Sequence, residues 1–325
     1  MATRSIGRSQ ELIVLAAAAL LFGLFSLLSS TFLELGNLVT LVRNVATLGI
    51  LALAMGLVVI GRGLDFAMVS VMVISSAYFV SLYASGVPAT SSLLAGLAVA
   101  TVVGLVQGWL IAYGQVPPMF TTLAMSVSLY GFGQLFLVPQ DVSNLPSGDN
   151  VFSRLGALQP LGVPIQIFLL LAAAGAMHFL LKHTKQGRFV YAIGENPATA
   201  RLIGIPTRRL VMGQYLLSAL FAFAVGVITV ASSSSMSLRV VNSTLIYDIV
   251  LVVVIGGIGL SGGKGGVVNV VAGTLLMGIL LNGMTLMDVP YTAQNVVKGC
   301  ILLITLLADA YLNPRNEQTD RQGDI

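Results

Sequence analysis

The chain has 325 residues, of which 56% are hydrophobic and 9% charged, and its formal net charge is +4. Soluble domains carry about 25% charged residues, so this composition excludes an ordinary soluble enzyme and a disordered chain. The 16 basic residues are too few and too scattered to follow nucleic-acid phosphates. The single cysteine, Cys300, excludes a disulfide scaffold, and two histidines leave little material for a metal site. The composition therefore indicates a multi-pass membrane protein that binds no nucleic acid.

Ten apolar stretches are long enough to predict membrane-spanning helices. A spanning helix needs about 20 mostly apolar residues, and strands of a membrane barrel would alternate instead of being continuously apolar. The predicted fold class is all-α, a polytopic membrane protein with about ten transmembrane helices in one domain over 1–325. The predicted spans are 12–30, 44–61, 64–83, 91–113, 119–138, 164–182, 209–231, 244–260, 265–285 and 291–312. The eighth is short enough to be a broken or re-entrant element.

Basic residues in the short loops predict the orientation, because they accumulate on the cytoplasmic side of a membrane. With the N-terminus inside, the outer loops carry only Arg43, Arg154 and Arg239, and Lys298 lies within the last span. The other basic residues are then cytoplasmic: Arg4, Arg8, Arg62, Lys182, Lys185, Arg188, Arg201, Arg208, Arg209, Lys264, Arg315 and Arg321. We therefore expect both termini in the cytoplasm, with a cytoplasmic tail at 313–325. The turn-rich segment 139–163 is then a periplasmic loop, with Asp141, Asn144 and Asp149 among its polar residues.

Two glycine-rich motifs look catalytic only superficially. Gly262-Gly263-Lys264-Gly265 lacks the spacing and the Ser or Thr of a phosphate-binding loop. Gly259-Leu260-Ser261-Gly262 resembles the serine motif of intramembrane proteases, but both histidines lie upstream, and in that family the histidine follows the serine. A turn between two helices is the better interpretation of both motifs. We predict no catalytic residue and no metal site.

Charged residues inside apolar spans usually have a function or a partner. Asp65 begins the third span and is placed to stabilise the amino end of that helix. Asp248 lies one turn into the eighth span from the outer side, where a substrate path would start, although pairing with another helix is an equal alternative. Lys298, two turns into the tenth span, needs an acidic or carbonyl partner that the sequence does not identify. These positions form no proton relay, which weighs against an ion-coupled transporter.

The inner segment 183–208 encodes a short capped helix. Asn196 is a favourable N-cap, Pro197 suits the first helical position and Gly204 suits the stop. The helix would make about two turns and project into the cytoplasm, with an apolar docking face formed by Ala198, Leu202 and Ile203. A simple connector would not need such a helix. The alternative is an interfacial helix that lies on the lipid surface.

Several motifs follow one another along almost the whole chain. They are Gly63-Leu64-Asp65, Val116 to Met125 with Pro117 and Thr122, Gly187-Arg188-x-x-Tyr191-Ala192-Ile193-Gly194-x-Asn196, Ala200-Arg201-Leu202-x-Gly204-Ile205, Gly256-Gly257-x-x-Leu260-x-Gly262-Gly263-x-Gly265, Asn282-Gly283-Met284 and Val289-Pro290-Tyr291 with Gln294. Together they resemble the ribose-type permeases of bacterial ABC importers. Gly104-Leu105-Val106-Gln107-Gly108 is in addition a helix-packing motif.

The resemblance implies two permease subunits, the same or homologous, that form a translocation path through the bacterial inner membrane and its lipid. It also implies a periplasmic or lipid-anchored sugar-binding protein and a cytoplasmic ABC ATPase. The permease would be no enzyme and hold no cofactor, since ATP and Mg bind the ATPase. Residues 195–201 would dock in the ATPase: Glu195, Asn196, Pro197, Ala198, Thr199, Ala200 and Arg201. Polar residues of the spans are the candidates for the path: Asp65, Ser126, Gln134, Asp248, Asn282 and Thr285.

The chain departs from the family pattern in two places. The family's Leu-Ser-Val-Gly after Asp65 is Phe66-Ala67-Met68-Val69, and its Arg-Gly near the fifth span is Tyr130-Gly131. These changes indicate a different substrate or one half of a heterodimer. We predict a permease for a monosaccharide or a related small polar solute. The alternatives are a branched-chain amino-acid permease of the same superfamily and an ion-coupled secondary transporter, which would show paired discontinuous helices and midplane charges.

Overall fold

The computed structural model describes residues 2–148 and 150–312, and within them the chain is mostly helical. Asp149 of the predicted periplasmic loop and the predicted tail 313–325, with Arg315 and Arg321, lie outside the described residues. The helices are α1 (Ala2–Leu28), α2 (Leu35–Ile60), α3 (Met68–Ala84), α4 (Ala89–Ala112), α5 (Pro118–Phe132), α6 (Val151–Ala157), α7 (Ile165–His183), α8 (Lys185–Glu195), α9 (Pro197–Leu202), α10 (Thr207–Ser233), α11 (Leu245–Ile255), α12 (Val267–Leu286) and α13 (Tyr291–Leu312).

Two short strands that the sequence analysis does not predict accompany the helices, and the all-α class still describes the chain, which is mostly helical. Strand β1 (Val142–Asn144) follows α5, and strand β2 (Ser235–Ser237) follows α10. They pair antiparallel, with Ser143 opposite Met236. The pairing satisfies backbone groups of two segments that leave the bundle at the same end. The predicted loop 139–163 also contains α6, whose N-cap Asn150 accepts a hydrogen bond from the Ser153 amide at 2.9 Å.

Seven of the described helices are long and apolar enough to cross a membrane. The apolar parts of these helices are Glu11–Leu28, Leu35–Ile60, Ala89–Ala112, Pro118–Leu137, Ile165–His183, Thr207–Ser233 and Val267–Leu286. The third, eighth and tenth predicted spans coincide with shorter apolar helices, at Met68–Ala84, Leu245–Ile255 and Tyr291–Leu307. The eleven residues of α11 rise only about 17 Å, roughly half of a hydrocarbon core. This helix is the short element that the sequence predicts in the eighth span.

Helix α2 forms the centre of the bundle. Its carboxyl-terminal half is apolar on every side, and nearly every residue from Val45 to Ile60 is buried. A helix with no polar face needs neighbours all around it, and α2 packs against α7, α10, α11 and α12. The outward faces of α1, α4, α5 and α7 instead carry exposed large apolar side chains. Such continuous apolar surface is typical of helices that face lipid.

The predicted packing motif in α4 is confirmed at its contact with α10. A Cβ atom on Gly104 would lie 2.8 Å from the Ala219 Cβ, and one on Gly108 would lie 2.9 Å from the Met212 Cα. Both glycines therefore let the two backbones approach more closely than any larger residue would allow.

The loops that the sequence assigns to the inner side lie together at one end of the bundle. The Gly263 amide, in the loop after α11, donates a hydrogen bond to the Ile60 carbonyl at the end of α2, at 2.8 Å. The Tyr191 hydroxyl of α8 donates to the Gly265 carbonyl at 2.8 Å. Because α5 and α10 both run away from this end, the paired strands β1 and β2 lie at the opposite one. The grouping of these loops agrees with the predicted sidedness.

Candidate functional site

The short helix predicted in the inner segment is present as α9. Asn196 is its N-cap, and the Asn196 Oδ1 accepts a hydrogen bond from the Thr199 amide at 3.0 Å. Pro197 occupies the first helical position, where no amide hydrogen is needed. Gly204 follows the helix with φ of +81°, a left-handed conformation that favours glycine. Each of the three predicted boundary residues is therefore confirmed in its local role.

A second helix, α8, occupies the residues before Asn196, which the sequence analysis treats only as part of a charged loop. Its N-cap Thr184 accepts a hydrogen bond from the Gly187 amide at 3.0 Å. A side chain on Gly187 would overlap the Leu180 and Leu181 carbonyls at the end of α7, so the sharp bend between α7 and α8 requires glycine there. Thr184, a favourable N-cap residue three positions before Gly187, is the signal in the sequence from which this helix could have been predicted.

Helix α8 is fixed to the inner end of the bundle. A side chain on Gly194 would overlap the Ile60 carbonyl and the Gly263 amide, so three backbone segments are in direct contact there. Tyr191 adds its hydrogen bond to Gly265, and burial raises the pKa of the Tyr191 hydroxyl. The turn after α2, the end of α8 and the loop after α11 therefore form one tightly packed unit, named here the inner knot (residues 60–63, 191–195 and 262–265).

Helix α9 has one packed face and one free face. Ala200 is buried against Ile193 and Ile205 in a small separate core. Leu202 is 87% exposed and Ile203 is 70% exposed, and Ala198 is exposed as well. The predicted apolar docking face is therefore at the surface. Two large aliphatic side chains therefore lie exposed at the end of a capped helix. Of the other residues predicted to dock, Glu195, Thr199 and Arg201 are exposed, Asn196 and Pro197 are half-buried, and only Ala200 is buried.

Asp65 lies fully buried in the irregular segment between α2 and α3. One carboxylate oxygen accepts hydrogen bonds from the Ser218 Oγ at 2.5 Å and from the Gln107 Nε2 at 3.2 Å. The other accepts from the Ala67 amide at 3.1 Å, one residue before the start of α3. The expectation that Asp65 stabilises the amino end of this helix is confirmed. The same carboxylate also ties α3 to α4 and α10.

Asp248 and Lys298 are paired at the opposite end of the bundle. The Lys298 Nζ lies 2.8 Å from the Asp248 Oδ1, and both side chains are almost completely buried. Lys298 also donates to the Thr244 Oγ1 at 2.9 Å, and that oxygen lies 2.8 Å from the Tyr291 hydroxyl. This group joins the start of α11 to the first three turns of α13. The sequence identifies both charged residues as needing an explanation, and each is the partner of the other.

The four remaining path candidates have separate partners. The Ser126 Oγ lies 2.7 Å from the Ser70 Oγ, and the Asn282 amide exchanges two hydrogen bonds with that of Asn37, at 2.8 and 3.1 Å. Gln134 donates to Asp141 at 3.4 Å, and the Thr285 hydroxyl donates to the Leu281 carbonyl of its own helix. In the part of the chain that the structure describes, no two of the six candidates share a hydrogen bond.

The sequence analysis does not single out the partners of these candidates as site residues. They are polar side chains on otherwise apolar helices: Ser70, Gln107 and Ser218, together with Asn37. Gln107 lies inside the packing motif of α4, which the sequence analysis explains by its two glycines alone. A buried amide in an apolar span needs a hydrogen-bond partner, and this is the signal that the sequence offers.

Comparisons with known proteins place the chain among membrane permeases. The family described as the permease component of the branched-chain amino acid transport system matches residues 37–306. The ribose import permease protein RbsC of Escherichia coli (strain K12) is 31% identical over 296 residues, which cover 91% of this chain and 92% of that protein.

Two further relatives cover similar lengths. The ribose import permease protein RbsC of Bacillus subtilis (strain 168) is 32% identical over 285 residues, covering 87% of this chain and 88% of that protein. The fructose import permease protein FrcC of Rhizobium meliloti is 29% identical over 312 residues, covering 93% and 84%. No solved structure matches the chain. The match over most of the chain shows that this protein belongs to the family of permease components of the branched-chain amino acid transport system type.

Proposed function

We propose that the chain is the inner-membrane permease subunit of an ABC importer for a monosaccharide or a related small polar solute. It forms the translocation path with a second permease, identical or homologous. A periplasmic or lipid-anchored binding protein delivers the solute, and a separate ATPase subunit hydrolyses ATP with Mg. The permease itself performs no chemistry.

The observation that carries this proposal is the connection of α9 to the bundle. Helix α9 presents Leu202 and Ile203 outward, and its N-cap Asn196 is also the C-cap of α8. Helix α8 in turn is packed into the inner knot, where Gly194 contacts the ends of α2 and the loop before α12. Packed backbones transmit displacement because they leave no room for relaxation. A partner that moves α9 therefore moves the ends of spanning helices.

The names of the relatives support a sugar as the transported solute. The family description refers to branched-chain amino acids, whereas the relatives named for a substrate are ribose and fructose import permeases. These relatives align with this chain over most of both lengths.

The proposed topology has about ten membrane elements with both termini in the cytoplasm. Seven long helices and three shorter apolar ones supply the ten elements. The inner knot faces the cytoplasm, since the basic residues of the loops concentrate at that end. The irregular segments beside Asp65 and Gly263 are packed against helices, which is the condition for non-helical backbone near a membrane.

In this proposal the six path candidates have two roles. Ser126, Gln134, Asn282 and Thr285 keep exposed surface and line the path between two permeases. Asp65 and Asp248 are buried and hold the helices that form its walls.

The test is uptake by the intact transporter reconstituted with its binding protein and ATPase. The double variant Leu202→Ser/Ile203→Ser removes the exposed apolar face of α9. Leu161→Ser is the matched control, because Leu161 is 96% exposed in the outer segment. We expect ATP-driven uptake of the labelled sugar that the wild type imports, with ribose and fructose tried first, to be lost in the double variant and kept in the control. Uptake of leucine in place of sugar would contradict the substrate class, and full uptake by the double variant would contradict the role of α9.

A further inference from the structure

A cavity with mixed polar and apolar walls opens beside the amino end of α9. Its volume is about 650 Å³, within the usual size of a site for a small organic ligand. The walls are the turn after α2, the connection between α4 and α5, the start of α9 and the start of α10. The cavity therefore lies between the proposed coupling helix and the ends of three spanning helices.

Three arginines from different segments line this cavity. Arg62 comes from the turn after α2, Arg201 from α9 and Arg208 from α10. No aspartate or glutamate belongs to the lining, and among the residues that the structure describes none of the three guanidinium groups forms an ion pair. Arg208 lies 5.5 Å from the ring centre of Tyr113. Three like charges around one space repel each other, and a bound anion would offset that repulsion.

The neutral polar groups of the lining are suited to the same ligand. Gln115, Asn196 and Thr207 also face the cavity. The Asn196 carbonyl oxygen is occupied by its cap hydrogen bond, so its amide nitrogen is the group left to act as a donor. The cavity thus combines amide and hydroxyl donors with guanidinium groups.

Two residues of the cavity have unusual backbone conformations. Arg62 has φ of +67° and Gln115 has φ of +56°, in the left-handed region that non-glycine residues rarely adopt. The described parts of the chain contain only three other residues of this kind outside glycine, at Leu161, Ser234 and Asp288. Such conformations persist where packing or ligand binding over-determines them. Here they direct two donor side chains toward one space.

We infer that this cavity binds a phosphoryl group, carried either by a phosphorylated small molecule or by a phospholipid head group. The planar guanidinium fork matches phosphate oxygens in pairs, which makes arginine the preferred residue for such ligands. A phosphoryl group in this position bridges α9 to the turn after α2 and to α10. Its presence therefore restrains the coupling helix and lowers ATP-driven uptake, a consequence that rests on the proposed function.

The experiment measures binding to the full-length permease with its copurified partners in lipid nanodiscs. In phosphatidylcholine discs, equilibrium dialysis measures the binding of inorganic phosphate and of ribose 5-phosphate, and the binding of unphosphorylated ribose serves as the reference. In discs that contain phosphatidylglycerol, the retained anionic lipid is quantified. The variants are Arg208→Gln and Arg201→Gln. The matched control is Arg209→Gln, which changes the adjacent exposed arginine that does not line the cavity.

A small-molecule site would show saturable binding of a soluble phosphate. The affinity should fall about tenfold or more in both cavity variants and stay unchanged in the control. This is the scale of one lost charge-assisted hydrogen bond. A head-group site would instead be established if the wild type and the control retain phosphatidylglycerol and the cavity variants lose it. Equal behaviour of wild type, control and cavity variants in both arms would overturn the inference. Equal melting midpoints exclude unfolding as the cause. Dialysis requires neither ATP nor transport, so its failure and that of the proposed function are distinguishable.

Discussion

Lys298 and Asp248 form an ion pair of 2.8 Å that links the third turn of α13 to the first turn of α11. The apolar parts of these two helices, Leu245–Ile255 and Tyr291–Leu307, are shorter than those of the seven long helices. The pair is almost inaccessible, and Thr244 provides a second acceptor for the lysine. A buried pair with such an additional hydrogen bond specifies how two elements dock. It stabilises this docking only while both partners are present.

We expect the two charges to be strongly coupled in stability. Asp248→Ala or Lys298→Ala leaves one buried charge without its partner, which costs roughly 3–5 kcal/mol. The double variant Asp248→Leu/Lys298→Met should lose much less unfolding free energy than the two single variants lose together. Thermal unfolding of the purified protein in detergent measures all three. Additive losses in the double variant would show that the pair does not act as a unit.

Replacing Gly194 should damage the inner knot. Gly194→Ala places a methyl group against the Ile60 carbonyl and the Gly263 amide, so backbone segments must move apart. We expect uptake to fall at least about tenfold, because α8 no longer holds its contact with the bundle. Gly213→Ala is the matched control, since a Cβ at that helical position meets nothing within 4 Å. Transport assays on equal amounts of membrane protein should separate the two variants, and equal rates would argue against the knot.

We expect uptake to depend on the side-chain oxygen of Asn196 that caps α9. Asn196→Ala removes the oxygen that accepts from Thr199, which costs about 1 kcal/mol of helix stability. Asn196→Asp keeps an acceptor in the same place. We expect several-fold lower uptake in the alanine variant and near-normal uptake in the aspartate variant, compared at equal expression. Equal loss in both would show that the cap is not what matters at this position.

Asp65 should contribute to stability and not only to transport. Asp65→Ala leaves Ser218, Gln107 and the Ala67 amide without their common acceptor in a fully buried place. We expect a loss of at least about 2 kcal/mol in unfolding free energy. Asp141→Ala is the control, because its ion pair with Arg239 is exposed and worth roughly 0–1 kcal/mol. Denaturation followed by tryptophan fluorescence gives both values, and equal small effects would contradict the structural role of Asp65.

Local signals predict α9 and its boundaries correctly from the sequence. Asn196, Pro197 and Gly204 act within a few residues of their own backbone, so no knowledge of the fold is needed. The same holds for the packing glycines of α4, because their spacing places both on one face of the helix. The positions of the long spans follow from apolar length alone.

Distant contacts are the part that the sequence does not reveal. Fifty residues separate Asp248 from Lys298, and their pairing depends on how α11 packs against α13. Gly194 and Gly263 meet only because α8 folds back under the bundle, and neither glycine carries a side chain that indicates its partner. The arginine cavity likewise requires four segments to be placed before its charge becomes visible.

The most direct measurement is purification of the chain from membranes in a mild detergent, with identification of everything that accompanies it. The account predicts that an ATPase subunit with phosphate-binding motifs and a second permease accompany the chain. When Leu202 and Ile203 are replaced by serine, the ATPase should be lost and the second permease should remain. An intact chain that purifies without any ATPase, and that imports solute when an ion gradient is the only energy source, would contradict it.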